Sequence, residues 1–555
     1  MLLSYKGIIF IEFSQNWSFQ LCEMGKTLYF SNRNKIFNIE SVKMRIKYLI
    51  VALCVVSMSC FTQIKAEKNA NYGVEAIGVL SDGDFAPYYM SSNEHGVVTQ
   101  GKSALLKLDL RKHWDKSKRF SLGYGATLIG DASSSVGYSV YDKTASAMNV
   151  REEKPAAAWI HQLYLDVKYR SVFLTIGAKE TGSKMLNDRL SSGDMTLSAN
   201  ARPMPGMKSG FIKPQAIPFT GGWAYISGEI GYYKQTDSKW LENHYNYLNE
   251  FITTDLWFSY KYCYFHSNPS KPFSVTLGMQ AACQFGGIKK EYYMGKLLST
   301  VDMSPNTETF YRTLIPGAGG TNLGDQNYYE GNHIGSWDLM GRYRFKNGME
   351  LKAYMQSPWE DGSGIGMMNG FDGLYGIEYK SGKTSGVVTG AVVEYLDLMN
   401  QGGPLHWAPD DFLNTSITEE ATGADNYYNN YAYNGYQYYG MSMGSPVLKS
   451  PIYNTDGYMA FTDTRLRSFH VGVEGSPWKN LSYRAKLLFT KSWGTIFCPI
   501  SKPRENTSAM VECVYKWHNV PGLDIKGQIA VDRGSLYGDN FGVLFSVSYS
   551  GLLKF

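Results

Sequence analysis

The sequence predicts an all-β protein: one antiparallel β-barrel of about 16–18 strands, 18 favoured, that crosses a membrane on its strands. Three observations predict it. The segment Phe541–Phe555 carries an apolar residue or glycine at every odd position, while Ser546, Ser548, Ser550 and Lys554 occupy even ones. Such period-2 alternation turns one strand face to an apolar phase and the other to water. Second, the 555 residues include 42 tyrosines and 57 glycines with only 19% charged residues. Tyrosines suit the interfacial girdles of a barrel, and glycines suit its turns. Third, no apolar run after residue 66 approaches the roughly 20 residues a spanning helix needs, which leaves strands as the spanning element. A soluble array of β-sandwiches competes for the same composition, but a strand like Phe541–Phe555 rarely closes a soluble protein of this length.

From the amino terminus, Met44-Arg-Ile-Lys47 is a short basic region, followed by the apolar run Tyr48–Phe61 and a small residue at Ala66. This is the pattern of a secretory signal peptide over 44–66, with cleavage after Ala66. Cys60, after Ser57-Met58-Ser59, offers a lipoprotein-type site as the alternative. Residues 1–43 match no targeting class, so the expectation is translation from Met44, with 1–43 a non-translated or artefactual extension and 67–555 the barrel. The formal charge of +5 sits at this end: residues 1–66 hold eight Lys/Arg and three acids, and residues 67–555 hold 46 of each sign. A neutral body without a basic stripe gives no reason to expect nucleic acid as a partner. Four cysteines remain after residue 66: Cys263, Cys283, Cys498 and Cys513. None forms a C-x-x-C pair or a zinc spacing, so no metal is expected. Pairing and separate positions facing lipid or lumen both remain open for them.

Candidate strands follow in order: Tyr72–Ser81, Ala104–Lys112, Phe120–Ile129, Leu163–Tyr169, Val172–Lys179, Trp223–Tyr232, Leu256–Phe265, Phe273–Phe285, Ser336–Phe345, Met349–Gln356, Gly373–Tyr379, Gly386–Leu396, Arg465–Glu474, Leu481–Thr490, Ser508–Trp517, Leu523–Asp532 and the terminal one. The turn between Tyr169 and Val172 is short enough to demand a hairpin. The terminal strand, ending at Phe555, must pair with the first so that no edge meets lipid, and it is the element expected to engage barrel-assembly machinery. Between strands lie polar stretches at Asp82–Ser103, Glu180–Gly222, Gly286–Ile334 and Gln401–Asp463. Connections this long are extracellular or fold into the lumen as a plug.

Candidate chemistry sits in these stretches. Seven tyrosines fall within Tyr427–Tyr439, including Tyr427, Tyr428, Tyr431 and Tyr436, interleaved with Asn426 and Asn429. Aromatic faces stack on sugar rings and amides bond their hydroxyls, which suits polysaccharide capture. An interfacial girdle or a self-packed plug loop fits the same pattern. Glu360 and Asp361 are adjacent in a Gly-rich turn. A glycosidase needs two carboxyls across a bond, which neighbours on a strand end do not supply, so a turn or ion-pair role is the plainer reading. An alternating oxygen spacing for calcium is missing. Asn200-Ala-Arg202-Pro203 could clamp an acidic sugar through Arg202 or pin a plug loop to a lumen carboxylate. His333, His406 and His470 lack any hydrolase motif around them. No catalytic residue and no cofactor is expected.

Seven collinear segments carry a family resemblance: Pro87–Asn93; Ser191–Pro205 continuing to Ile217–Thr220 and Gly222-Trp223; Gln284–Gly287; Gly331–Asp338; Glu360–Gly364 with Asn369, Asp372 and Gly373; Gln401–Trp407, containing His406; and Ala424–Tyr431, containing Asp425. Together they span essentially residues 70–555, and they resemble the Wzi capsule-assembly family in its Bacteroidetes form. The resemblance implies an outer-membrane barrel of about 18 strands in a Gram-negative bacterium. It implies a lectin-like surface role, holding capsular or exopolysaccharide through extracellular loops, with outer-membrane lipid as the other partner. From these segments and the Tyr-rich run, the candidate ligand contacts are Asn200, Arg202, Glu360, Asp361, Asn369, Asp372, Gln401, His406, Asp425, Asn426, Tyr427, Tyr428, Asn429, Tyr431 and Tyr436; the identity of the ligand does not follow from the resemblance. Two differences stand out: no amphipathic helix precedes Tyr72 to match the relatives' periplasmic bundle, and Gly278–Cys283 lacks a histidine that some relatives carry. A porin or glycan-export conduit, or a barrel-embedded hydrolase using Glu360 or Asp361, are the competing functions.

Overall fold

The computed structural model describes residues 69–315, 330–402 and 425–554. The expectations for 1–43 and 44–66, and the ones resting on His406 and Phe555, fall outside the described residues. Ala70–Leu553 forms one compact unit.

Eighteen strands close into an antiparallel barrel. They are β1 Asn69–Phe85, β2 Gln100–Lys112, β3 Phe120–Ser133, β4 Ala158–Tyr169, β5 Val172–Ala178, β6 Pro205–Phe211 resuming at Gln215–Ala216, β7 Ala224–Lys234, β8 Trp257–Ser267 and β9 Phe273–Phe285. There follow β10 Asn332–Arg344, β11 Glu350–Trp359, β12 Gly373–Lys380, β13 Gly386–Asp397, β14 Leu466–Trp478, β15 Leu481–Gly494, β16 Pro499–Lys516, β17 Leu523–Gly534 and β18 Asn540–Lys554. Each strand pairs with its sequence neighbours, and β18 closes on β1. At that seam Ser546 Oγ donates to Glu75 at 2.9 Å and the Tyr72 and Tyr549 rings lie 6.1 Å apart. Closure leaves no unpaired edge for lipid to solvate.

The alternation read in the sequence is the alternation of the wall. Along β18, Phe541, Val543, Phe545 and Val547 point outward, whereas Gly542, Leu544 and Ser546 are buried in the lumen. Leu106, Leu128, Leu163, Ile176, Leu277, Ile377 and Ile529 continue the outward apolar band around the barrel. Large exposed aromatics crowd one rim: Phe120, Tyr169, Trp223, Phe273, Tyr343, Trp478 and Trp517. Amphipathic rings collect where hydrocarbon meets headgroups, so this rim is an interfacial girdle.

The two ends differ. At the girdle end, where β1 begins and β18 finishes, strands are joined by two to seven residues. Every long connection leaves the opposite end, the largest being the 68 residues 398–465. Small domains on that end include a hairpin of Val136–Asp142 with Ala147–Glu153 and a three-stranded sheet of Asn249–Thr254, Ile288–Tyr293 and Lys296–Asp302.

Two sequence expectations change. The stretch Glu180–Gly222 contains strand β6, hidden because Pro214 and two glycines break its pattern; its Met207 faces out and Lys208 faces in. Strands β1 and β2 also run farther than expected, taking Asp82–Phe85 and Gln100–Ser103 from the first long connection, with a register shift between Leu80 and Phe85 absorbing the excess.

Candidate functional site: the lumenal plug and its loop-side face

Three connections fold back into the lumen. The deepest is a strap, 187–200, strung across the barrel by polar groups on the strand walls. Asn187 donates to Glu378 of β12 at 3.3 Å, and His470 of β14 bonds the Leu190 carbonyl at 2.6 Å. Glu394 of β13 accepts from Ser191 Oγ at 2.7 Å and from the Ser192 amide at 2.6 Å, and also from Tyr354 Oη at 2.6 Å. Asp194 accepts from the Thr196 and Leu197 amides at 2.9 and 3.3 Å, from Gln356 Nε2 of β11 at 3.0 Å and from Gln280 Nε2 of β9 at 3.2 Å. Apart from the half-buried Asn187, each partner is buried, and a buried carboxylate is tolerated only when its lone pairs are met this fully.

The second layer is 86–99. The Tyr88 amide donates to Asp532 of β17 at 2.8 Å, and Tyr89 Oη meets His470 Nδ1 at 2.8 Å. The third is the Tyr-rich connection. Tyr428 Oη donates to the Met195 carbonyl and accepts the Ser445 amide at 2.8 Å, while Tyr436 Oη donates to the Thr196 carbonyl at 2.7 Å. Asn200 Nδ2 donates to the Ser442 carbonyl at 2.9 Å and its Oδ1 accepts the Asn93 amide, so it joins all three layers. Gly444 lets the chains meet: a Cβ there would lie 2.1 Å from Tyr428 Oη.

Around these bonds runs one apolar cluster. It joins Tyr88, Met90, Met195, Leu197, Tyr428, Tyr436, Met443 and Phe461 of the plug to inward side chains such as Leu105, Phe258, Ile334, Tyr354, Leu396, Leu488 and Leu544. Side chains therefore fill the lumen at the level of the plug.

A second group of expected residues gathers on the loop side of this core. The Tyr428 amide donates to Glu360 Oε1 at 2.7 Å. Asn369 Nδ2 donates to Tyr427 Oη at 3.2 Å, and Asp372 accepts the Asn400 and Gln401 amides at 2.9 and 2.6 Å. Gln401 donates to the Thr464 carbonyl at 2.8 Å and accepts the Tyr427 amide at 3.3 Å; its own carbonyl takes the Asp425 amide at 2.9 Å. Thr464 Oγ1 reaches Asn426 Oδ1 at 3.1 Å. Asn429 and Phe461 exchange two bonds of 2.8 Å each. Asp361 caps a short turn of helix at Gly362–Ile365, its Oδ1 accepting the Gly364 amide at 3.4 Å. Burial pushes the Glu360 carboxyl up to about 8, with the Asp361 charge acting the same way. Burial, then Asp361 and Glu360, also raise Asp425.

The structure thus brings Glu360, Asp361, Asn369, Asp372, Gln401, Asp425, Asn426, Tyr427 and Tyr428 together, and places Asn200 in the strap and Arg202 just past it. It changes what most of them are expected to touch. Tyr427, Tyr428, Tyr436, Asn200, Asn369 and Gln401 are fully buried and, Asn369 Oδ1 apart, spend their polar atoms on the protein, so they support the loop-side face rather than form its surface. Tyr431 differs from them: half of it is exposed. Phe371, 86% exposed, stands on the same side with Met367 and Met368. Sequence reasoning missed the wall residues Gln280, Gln356, Glu394 and His470. Their only signal was a polar residue at an inward register position, which most barrel lumens share. Among the described residues the four cysteines make no disulfide: Cys263 and Cys513 are exposed on strands, Cys498 is exposed in the 495–498 turn and Cys283 is buried. Among the described residues, no group of three or more His, Cys, Asp or Glu is arranged to hold a metal.

No family model and no curated protein matches the chain. Among solved structures, Wzi of Escherichia coli, an outer membrane carbohydrate-binding β-barrel involved in group 1 capsule assembly, matches with a TM-score of 0.50 at 10% identity, covering 86% of this chain and 83% of its own. OpdK of Pseudomonas aeruginosa, solved with vanillate, gives 0.42 at 10% identity over 87% and 98% of the two chains. OccAB2 of Acinetobacter baumannii gives 0.43 at 8% identity over 88% and 98%. The first likeness is one of fold: the chain has the architecture of an outer-membrane β-barrel.

Proposed function

We propose that this chain is a non-enzymatic outer-membrane barrel of the Wzi kind, which binds a surface polysaccharide on its loop-side face and helps assemble or retain a capsule. The filled lumen carries this reading. A barrel whose cross-section is closed by a hydrogen-bonded, apolar plug is built to hold loops in place rather than to pass solutes. All its long connections emerge on one side, where Tyr431 and Phe371 offer aromatic faces to sugar rings. The solved barrel of matching fold is itself a carbohydrate-binding capsule protein, and the seven collinear segments carry the same resemblance. The porin or conduit reading requires an open path, and the packing of the plug's described side chains into one cluster with the inward wall side chains argues against one. Deleting the gene and measuring cell-bound against released polysaccharide tests the proposal: polysaccharide should move to the released fraction, and an unchanged partition would refute it.

A further inference from the structure

The barrel wall is incomplete beside β5. Leu163, paired with Ala178, is the last β4 residue toward the loop side with a partner on β5; Ala158 and the residues up to Gln162 pair with β3 alone. On the far side β6 begins at Pro205, level with Ala178, and β7 ends at Lys234, level with Pro205, so the wall steps down from β4. Where β5 and β6 stop short, a lateral notch of about 360 Å³ opens, its lip formed by Ile160 and Leu163 and its back by Arg202 and Tyr439 of the plug.

The notch lies at a defined height. Tyr169 sits in the girdle rim, and Ile160 is nine residues along β4. At about 3.3 Å per residue and a tilt of about 40°, that is about 23 Å along the barrel axis, close to the roughly 25 Å of an outer-membrane apolar band. The opening therefore faces the level where hydrocarbon gives way to headgroups on the loop side. Its lip is apolar, with Ile160 60% and Leu163 56% exposed.

Its back is cationic. The Arg202 guanidinium lies between the Trp159 ring at 4.3 Å and the Tyr439 ring at 4.7 Å. Its Nε reaches the Gly96 carbonyl at 3.4 Å. Among the described residues no carboxylate lies within ion-pair distance of it. Two further polar atoms in the lining, Trp159 Nε1 and His161 Nδ1, are buried and have no hydrogen-bond partner among the described residues. A stacked guanidinium with free N–H groups is the fork that takes a phosphate bidentately.

We propose that the notch holds the phosphate-bearing headgroup of a glycolipid of the outer leaflet, with Arg202 on the phosphate and an acyl chain along Ile160 and Leu163. This rests on the outer-membrane placement proposed above, which membrane fractionation checks separately. The test uses the purified full chain and native mass spectrometry with three probes: diphosphorylated lipid A, the same lipid dephosphorylated, and inorganic phosphate. Bound diphosphorylated lipid should exceed the dephosphorylated form by about tenfold or more, and inorganic phosphate should not compete at equal concentration. Arg202→Gln should lower binding about tenfold, with Arg202→Lys between the two. Ala178→Trp narrows the mouth while leaving the Arg202 side chain in the sequence and should also weaken binding. Equal binding of the two lipids, equal competition by phosphate or by an acidic polysaccharide fragment, or full binding by the folded Ala178→Trp barrel would each overturn the proposal.

Discussion

The Glu394 carboxylate on β13 accepts the Ser192 amide at 2.6 Å, a contact between residues 202 apart in sequence that ties the lumenal strap to the wall. The same carboxylate takes Ser191 Oγ and Tyr354 Oη. Removing it strands buried donors at about 1–3 kcal/mol each. Glu394→Ala should loosen the strap, making 187–200 sensitive to protease and giving intermittent conductance in planar bilayers, with Glu394→Gln milder because it still accepts. Limited proteolysis at equal denaturant concentration reads the difference; an Ala variant as resistant as the parent would show that the clamp does not hold the strap.

Tyr428 and Tyr431 belong to one Tyr-rich run, yet the first is 1% and the second 50% exposed. Tyr428→Ala should destabilise the folded chain by about 3–5 kcal/mol through cavity formation and lost hydrogen bonds. Tyr431→Ala should leave thermal stability within about 0.5 kcal/mol of the parent and weaken polysaccharide binding several-fold. Unfolding midpoints and glycan-array binding, measured side by side, separate the two roles.

Glu360 makes the loop-side face sensitive to alkali. Its folded-state carboxyl, at about 8, titrates far above the ordinary value near 4.5. A raised carboxyl pKa means that the folded form binds the extra proton, so its stabilising contribution is complete below about 4.5 and is lost as pH rises through about 8. Exchange of the Tyr428 amide, which donates to Glu360, should accelerate between pH 6 and pH 9 beyond the intrinsic base-catalysed rise. Glu360→Gln should abolish the excess; identical profiles for parent and variant would count against the assignment.

The four cysteines after residue 66 report topology without mutation. A membrane-impermeant maleimide on intact cells should label Cys498, which lies in the loop-side 495–498 turn, and should miss Cys263 and Cys513 in the apolar band until detergent exposes them. Cys283, buried beside the Glu330 carbonyl at the end of the 286–331 connection, should react only on unfolding. Labelling of Cys263 on intact cells would contradict the lipid-facing assignment.

Much of the barrel was legible because its wall obeys a local rule. Phe273–Phe285 reads as a strand with the bounds it has in the structure, since outward apolar and inward polar residues alternate over its first half. Strand β6 was illegible for the opposite reason: seven residues, two of them glycine and one proline, followed by a break at Pro214, hold too short a pattern to register. The candidate site was legible only as chemistry. Tyrosines and asparagines within 426–439 signal stacking and amide bonding, and they do both, but against the plug's own chain. Whether a Tyr face meets sugar or Phe461 depends on how a 68-residue connection folds back, and no local period encodes that. Sequence patterning likewise set Arg202 among candidate clamps, but its place behind a gap in the wall follows from where β5 ends, 24 residues earlier.

Planar-bilayer recording of the purified chain tests the central claim most directly, because a plugged anchor and a transport barrel differ there in kind. With the strap and the Tyr-rich connection filling the lumen, the chain should insert without measurable steady conductance in 1 M salt. Steady open channels that persist at low voltage would contradict the account and restore the transport reading.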